Sequence, residues 1–508
     1  MSGRFTIGVD IGTQGTKAAL FSHAGRPVAT AFRASQLHRP GPGIVEEDPQ
    51  RQVASVCQTI RQCVRKARIA TSDVAAIGIA GQMAGLIGVG ADGGCVTPYD
   101  SWLDTRCKPY IAKMTGLAGD EVLRKTGCFP SFNHGPKILW WMHERKAVFR
   151  SIRAFVQPGG YAAMRLCGLD ARAAFIDKTY LHFSGFADNR LGRWDEELCR
   201  TFGLDPAKLP RIVDPHQIVG ELTPSMAHRC GLRAGVPVVA GCGDSVASFL
   251  SCGAANEGIC VDVAGTASVF AATTTTFRPD VRNKTLGCGQ AATAGLWHPY
   301  AYINGGGMNV EWFLRELAGA GRTWATREKD LARLNRLASA LPPDEPGPMF
   351  VPHMEGRVCP SQPLLRGAWV ELGWRQSAAH LYRAVLEGVA MEYGIYRNVL
   401  ARLYPSLKLA EVRITGGGAN SILWNRIKAA VLDAPVVRIS GDAGAPMGAA
   451  MLAGFGVGLF KSLTDAAARW VHLGRSQRPE KEMTARYRNM VARYERLLDS
   501  LNAFAAGD

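Results

Sequence analysis

A chain of 508 residues that is 47% hydrophobic carries apolar material for two to four domains with full cores, at roughly 100–200 residues per domain. Lys and Arg number 59 against 43 Asp and Glu, a formal net charge of +16. The basic residues are scattered, with no Lys/Arg block or recognition-helix pattern, which argues against nucleic-acid binding and for a solvated surface that attracts anionic substrates.

Thirteen cysteines without a C-x-x-C pair or a Cys/His zinc spacing read as buried free thiols of a reducing cytosol. The start, Met1-Ser2-Gly3-Arg4, has no apolar signal core. The longest apolar stretch, Ala445 to Phe460, is Gly-rich and short of the roughly 20 residues of a membrane span. A soluble, cytoplasmic protein without a membrane partner is expected.

The strongest signal comes first. From Ile7 an apolar run ends in one carboxylate, Asp10; a Gly/Thr-rich turn through Gly12, Thr13, Gly15 and Thr16 follows, and then a second apolar run, Ala18-Ala19-Leu20-Phe21. This reads as strand, turn, strand with a phosphate cradle at the bend. Glycines let backbone N–H groups approach an anion, Thr13 and Thr16 add hydroxyls, and Asp10 suits a hydrated Mg²⁺, a hard cation that takes carboxylate and water oxygens. No Walker-type G-x-x-x-x-G-K-[ST] is present here, so the nucleotide grip is of another kind.

His38 to Gly43 is a Pro/Gly loop, and Asp48 with Pro49 starts a helix to about Arg68. Val74 to Ala80 is a buried strand ending in Gly81-Gln82-Met83, and Leu86 to Val89 is another, turned by Gly90 to Gly94. Lys137-Ile138-Leu139-Trp140-Trp141 begins an aromatic-rich helix, and residues from about 165 to 215 look like an insertion or a sub-domain. Pro237 to Ser245 is a strand running into Gly-bounded polar residues.

Ile259-Cys260-Val261-Asp262-Val263-Ala264-Gly265-Thr266-Ala267-Ser268 then echoes the first hairpin, which points to a duplicated fold. A long helix from about Ala378 to Leu403 follows, with Leu381, Val385, Val389, Tyr396, Leu400 and Leu403 as its apolar stripe. Val412 to Thr415 is a strand, and Gly416-Gly417-Gly418-Ala419-Asn420 turns it into a helix containing Leu423, Ile427 and Val431. Ala443 to Ala450 opens a small-residue helix suited to close packing, and the tail from about Gln477 is charged, helical and peripheral.

Asp244 stands out chemically. A carboxylate at a strand end can take the proton of an alcohol attacking a γ-phosphate; the local sequence supports equally an N-cap for a helix beginning near Val246. Trp102-Leu103-Asp104-Thr105-Arg106 offers an apolar face and bidentate partners for a sugar; in isolation it reads as a surface turn with an Asp/Arg ion pair. Gln82 and Met83 line the same pocket or, for Met83, fill core. Lys137 neutralises phosphate or is solvated. The Gly416–Asn420 turn lets a ribose or flat ring lie against backbone, but its spacing is not G-x-G-x-x-G. His134 and His353 have no assignment.

Together these segments resemble the FGGY family of carbohydrate kinases, within the actin-like ATPase superfamily, from Ile7 to about Gly454. Asp10 to Lys17 resembles the first phosphate motif and Val45-Glu46-Glu47-Asp48-Pro49 the segment before the first long helix. Gly78 to Met83 resembles the sugar-site strand, and Pro136 to Trp140 the first family signature. Gly243-Asp244 matches the catalytic-base position, Asp262 to Ser268 the second phosphate motif, Gly416 to Asn420 the adenosine turn, and His380 to Gly388 the end of the second signature. Within the family the chain is most similar to xylulose and related pentulose kinases.

The resemblance implies an α/β fold of two actin-like (ribonuclease H-like) ATPase domains with an interdomain cleft. Residues 1–245 would bind the sugar and carry the first phosphate loop, and residues 246–508 would bind ATP. It implies ATP with Mg²⁺, Asp244 as base and Asp10 organising the metal through water. Gly12, Thr13, Thr16 and Lys17 border the phosphates on one side, Gly265 and Thr266 on the other, and Gly417, Gly418 and Asn420 face the adenosine. Gln82, Met83, Ala84, Trp102, Asp104, Arg106 and Ser245 contact the sugar.

The chain departs from xylulose kinases at Ala84, where His is usual, and at Ser245, where Asn commonly follows the catalytic Asp. The second signature is also irregular, Gly367 to Gly373 being one residue longer and the link to His380 shorter. The expected acceptor is a pentulose, with another ketose or a polyol such as a tetritol as the alternative. A homodimer is left open. An idle nucleotide or sugar sensor is the alternative from another class, disfavoured by Asp10 and Asp244.

Overall fold

The computed structural model describes residues 5–319, 324–342, 344–345, 347–441 and 444–507. Met1 to Arg4 and Ala443 lie outside the described residues. Two seven-stranded sheets form the framework. The first contains β1 (Phe5–Ile11), β2 (Gly15–Ser22), β3 (Pro27–Ala34), β4 (Val74–Gly81), β5 (Ile218–Glu221), β6 (Pro237–Val239) and β7 (Cys242–Gly243). The second contains β8 (Ile259–Ala264), β9 (Ser268–Ala272), β10 (Gly287–Gln290), β11 (Trp297–Ile303), β12 (Glu411–Thr415), β13 (Val436–Ser440) and β14 (His472–Gln477).

The duplication is visible in strand order and sense. β1 pairs antiparallel with β2 and parallel with β4, and β4 runs parallel with β6 and β7. β8 likewise pairs antiparallel with β9 and parallel with β12, which runs parallel with β13. Parallel neighbours need crossover connections, and helices supply them.

Helix α1 (Pro49–Ala67) starts as its sequence dictates: Asp48 accepts from the Gln50 N–H at 2.8 Å, Pro49 occupies the first turn, and Arg68 closes the helix in the left-handed region. Its buried stripe, Val53, Val56, Cys57, Ile60, Cys63 and Val64, packs on the first sheet. Helix α2 (His134–Glu144) carries the aromatic run. Helix α3 (Asp244–Ser251) begins at Asp244 with Gly243 as N-cap, so Asp244 does not cap a helix starting near Val246. The expected domain division between residues 245 and 246 falls within α3.

Helix α4 (Ala378–Leu403) is buried along its middle on all sides, from Tyr382 to Tyr396, rather than along one stripe; Leu381 and Leu403 are only partly covered. Helix α5 (Ile422–Leu432) and α6 (Ala445–Gly456) follow. The tail forms α7 (Lys481–Ala506), and one face of it is interior rather than peripheral. Tyr487, Val491, Tyr494 and Leu498 are buried, and Tyr494 donates to Glu392 at 2.9 Å.

Helix α6 returns from the second half of the chain to lie on the first sheet and on α3. A Cβ on Gly8 would sit 1.7 Å from the Pro446 carbonyl oxygen, one on Gly78 2.1 Å from that of Ala449, and one on Gly448 2.0 Å from that of Ala247. Backbone meets backbone here, so the glycines are steric necessities. Gly78→Ala should lower the urea midpoint, corresponding to about 1–3 kcal/mol of lost stability. Gly417→Ala, whose Cβ meets nothing within 4 Å, should leave the midpoint unchanged.

Candidate functional site

β4 threads between β1 and β7 and brings two carboxylates to one end of the first sheet. Asp10 is in register with Ala80, and Ala80 with Cys242; Ile11 is in register with Gly81, and Gly81 with Gly243. Adjacent strands lie about 4.8 Å apart, so Asp10 and Asp244 flank the same strand end. Both remain partly open.

Burial, and then the charge of Asp244, holds the Asp10 carboxyl well above the ordinary range; Lys17, its cross-strand partner, opposes this. Asp10 Oδ1 is buried with no hydrogen-bond partner. Burial pushes Asp244 up to about 6, although its Oδ1 accepts from the Ser245 N–H at 2.6 Å and the Ser245 hydroxyl at 3.2 Å.

The end of β4 is braced by a segment that no sequence signal singled out. The Tyr180 hydroxyl donates to the carbonyls of Gly81 (2.9 Å) and Cys242 (3.3 Å). Gly243 N–H donates to Thr179 Oγ1 at 3.0 Å, and that hydroxyl donates to Asp177 at 2.5 Å. These residues belong to the segment read as an insertion, so the insertion positions Asp244.

The first turn closes on itself, Gly12 N–H to Gly15 carbonyl at 3.1 Å and the reverse bond at 3.2 Å. Among the described residues the backbone N–H groups of Thr13 and Gln14 have no hydrogen-bond acceptor, so the turn presents two amides. The Thr13 hydroxyl accepts from the Trp102 indole N–H at 2.8 Å and donates to Gln82 Oε1 at 3.3 Å. Thr16 is buried and Lys17 exposed.

Gln82 donates its backbone N–H to Ile11 at 3.1 Å and its side-chain amide to Glu47 at 3.4 Å. Met83 packs on Gly243, where a Cβ would meet its sulfur at 1.7 Å. Its carbonyl faces His134 Nε2 at 2.7 Å, and burial lowers that imidazole to about 4, leaving it neutral. Ala84 is half-buried beside Met83, and Trp102 is 42% exposed.

Two expected sugar contacts are spent internally. Asp104 is fully buried and accepts from the Val45 N–H at 2.8 Å and from Arg106 Nε at 2.9 Å. Arg106 also pairs with Glu46 at 2.6 Å and lies 4.9 Å over the Trp140 ring. The Asp104 carboxylate and the Nε and Nη2 groups of Arg106 are thus engaged with protein partners. Lys137 is neither a phosphate partner nor solvated: it is 1% exposed and donates to the carbonyls of Ser101 (2.8 Å) and Asp104 (3.0 Å).

In the second sheet the Gly265–Thr266 turn abuts a glycine run absent from the sequence reading. Gly307 N–H donates to the Gly265 carbonyl at 2.9 Å and Met308 N–H to that of Thr266 at 3.1 Å. Gly305-Gly306-Gly307, three glycines at a helix start, was the available signal. Gly416 has φ +87°, and a Cβ there would lie 2.6 Å from the Ala264 carbonyl oxygen; Gly418 packs on Ala264 as well. The Gly416–Asn420 turn therefore shares a corner with Gly265, and Thr266, Gly417 and Asn420 are exposed on it.

The carboxylate of the echo has a different fate. Matching Gly12 to Gly265 places Asp10 opposite Val263, so Asp262 is one residue out and faces the other side of its strand. It is fully buried, paired with Lys428 and accepting from the Tyr393 hydroxyl at 2.7 Å. His353 is likewise structural, 3.0 Å from Glu392 in a buried network with Arg357. A cavity of about 560 Å³ opens between α4 and α7, and none of the candidate site residues lines it.

Among the described residues no cluster of three or more His, Cys, Asp or Glu is arranged to hold a metal, and no helix is long and apolar enough to cross a membrane. All thirteen cysteines are unpaired.

Comparison with known proteins gives a consistent answer. Residues 5–251 match the N-terminal domain of the FGGY family of carbohydrate kinases and residues 260–457 its C-terminal domain. A xylulose kinase of Bacillus subtilis (strain 168) is 24% identical over 499 residues, covering 97% of this chain and 96% of its own; a gluconokinase of the same organism is 26% identical over 497 residues, covering 96% and 94%. The crystal structure of xylulose kinase from Rhodospirillum rubrum superimposes with a TM-score of 0.89 at 25% identity, covering 99% of this chain and all of its own. The chain belongs to the FGGY family of carbohydrate kinases, with that family's two-domain α/β, actin-like fold, and is an ATP-dependent sugar kinase.

A stability prediction follows from the two carboxylates. Raised folded-state values mean that the folded protein holds these protons more tightly than the unfolded chain, so stability falls as pH rises from about 4 through about 6. Asp244→Asn should therefore raise the unfolding free energy at pH 8 by about 1–3 kcal/mol, with the gain vanishing near pH 4, as read by denaturant titration at both pH values.

Proposed function

We propose that this kinase transfers the γ-phosphoryl group of ATP to a primary hydroxyl of a pentulose, converting D-xylulose to D-xylulose 5-phosphate. The observation that carries the proposal is the pair of half-open carboxylates on either side of β4, one of them held near 6. Asp244, ionised above that value, accepts the proton of the attacking hydroxyl. Phosphoryl transfer asks for little more from the protein than in-line positioning and charge neutralisation.

The Oδ1 of Asp10, buried without a hydrogen-bond partner among the described residues and beside a like charge, would suit a hydrated Mg²⁺. That ion, when bound, offsets the negative charge of the polyphosphate. Gly12, the Thr13 and Gln14 amides, Thr16 and Lys17 border the phosphates from the first lobe, and Gly265 and Thr266 from the second. Gly417, Gly418 and Asn420 take the adenosine. Gln82, Met83, Ala84, Trp102 and Ser245 line the acceptor pocket; Asp104 and Arg106 support it from behind. Residues 1–245 serve the acceptor and carry the first phosphate loop, and residues 246–508 bind the nucleotide. Thirteen unpaired cysteines support a cytoplasmic setting.

One observation favours a second acceptor. Ala84 leaves room where xylulose kinases carry His, and the Ser245 hydroxyl is turned to Asp244 rather than outward. Another ketose or a polyol suits that altered wall.

ADP release with pentuloses, hexuloses, glycerol and tetritols tests the proposal. Saturable turnover with D-xylulose supports it, turnover with a polyol alone moves the acceptor, and no turnover with any member rejects it. Asp244→Asn should cut kcat by about 10²–10⁴-fold while ATP binding is largely kept. In the wild type kcat/KM should rise with pH through an apparent value near 6, since only the ionised form accepts a proton; that value belongs to the Asp10/Asp244 pair. A flat profile between pH 5 and 8 counts against the assignment.

A further inference from the structure

We propose that Trp102, Thr13, Gln82 and Glu47 form a hydrogen-bond relay that couples occupancy of the acceptor pocket to the set of the first phosphate turn, with Trp102 and Thr13 as positioning residues. This rests on the acceptor pocket proposed above. The links run one way: indole N–H to Thr13 Oγ1 at 2.8 Å, Thr13 O–H to Gln82 Oε1 at 3.3 Å, and Gln82 Nε2–H to Glu47 Oε1 at 3.4 Å. An indole only donates, so the chemistry of the Trp102 end dictates the direction, and each link polarises the next.

The two ends differ in character. Glu47 and Gln82 are 4% and 1% exposed, and Gln82 is also tied to Ile11 of β1, so that end is anchored in the core. Trp102 is 42% exposed, and its loop is held at the base by Lys137 and by the Asp104–Arg106 pair. The indole is thus the end that an acceptor molecule meets.

The hydroxyl of Thr13 has one proton, and it is committed to Gln82, so the side chain does not offer it to a phosphate oxygen. What the turn presents instead is the backbone N–H groups of Thr13 and Gln14. The bonds at Thr13 Oγ1 determine the direction in which those amides point. A sugar lying against the indole face immobilises Trp102, and through Thr13 it holds the two amides toward the polyphosphate. The nucleotide then binds an already ordered turn, which is positive coupling between the two ligands.

Calorimetry tests this with Mg²⁺ and a non-hydrolysable ATP analogue, titrated with and without saturating D-xylulose or the acceptor that the ADP-release panel selects. In the wild type the acceptor should tighten nucleotide binding by about 5–150-fold. Trp102→Phe keeps the aromatic face but loses the donor; Thr13→Val keeps the shape but loses the hydroxyl. Each should bring that ratio close to one and lower kcat by about tenfold, while acceptor affinity stays within about threefold. The double variant should be no worse than either single one, and Thr13→Ser should restore coupling.

Variants that retain wild-type coupling, or single effects that add in full, overturn the relay. A wild type that binds acceptor with a coupling ratio of one also overturns it and leaves the kinase reading standing. A wild type that binds no acceptor of the panel rejects the kinase reading itself, before any variant is made.

Discussion

Two carboxylates held at one strand end, Asp10 and Asp244, are the constraint around which this protein is built. Their mutual repulsion and burial are unfavourable for folding, and a protein selected for stability alone would not keep them. β4 enforces the arrangement: its register with β1 on one side and β7 on the other leaves Asp10 and Asp244 no freedom to separate. Catalytic sites concentrate such unfavourable electrostatics because the strain is relieved by the ligands they bind.

The surrounding structure absorbs the cost. Tyr180 and Thr179 clamp the backbone beside Asp244, and α6 closes over β1, β4 and α3 through contacts that only glycine permits. That helix comes from late in the chain, so the carboxylate end of the first sheet is completed by the second half of the sequence. The halves also meet at a distance from this end, where Cys288 N–H donates to the Gly127 carbonyl at 2.8 Å and Lys284 pairs with Asp120 at 2.8 Å.

Polar side chains divide by burial into those available to ligands and those consumed by architecture. Asp104 with Arg106 and Asp262 with Lys428 are ion-paired inside the protein, and Lys137 is bonded to two backbone carbonyls. A buried charge without partners is prohibitively unfavourable, so each of these residues is structurally occupied before any ligand arrives. Asp10, Lys17, Thr266 and Asn420 keep exposed or unpartnered atoms. The sequence around Trp102 offered a sugar contact or, read in isolation, a surface turn with an ion pair, and packing chose a buried ion pair for Asp104 and Arg106 while leaving the indole outside.

What the amino-acid sequence determined by itself is local and periodic. The hairpin around Gly12, the Asp48-capped helix, the Gly416 turn and the repeat at Asp262 follow from turn chemistry and alternation, which act over a few residues. Two such hairpins in order were enough to announce a duplicated fold. Which side of a strand a carboxylate faces depends on a one-residue shift, and that shift sent Asp262 inward although its motif resembles that of Asp10. The brace by Thr179 and Tyr180, the consumption of Asp104, Arg106 and Lys137, and the return of α6 to the first sheet arise between segments tens to hundreds of residues apart. Such contacts exist only once the chain has folded, because burial and partner choice are properties of the packed whole rather than of any short stretch.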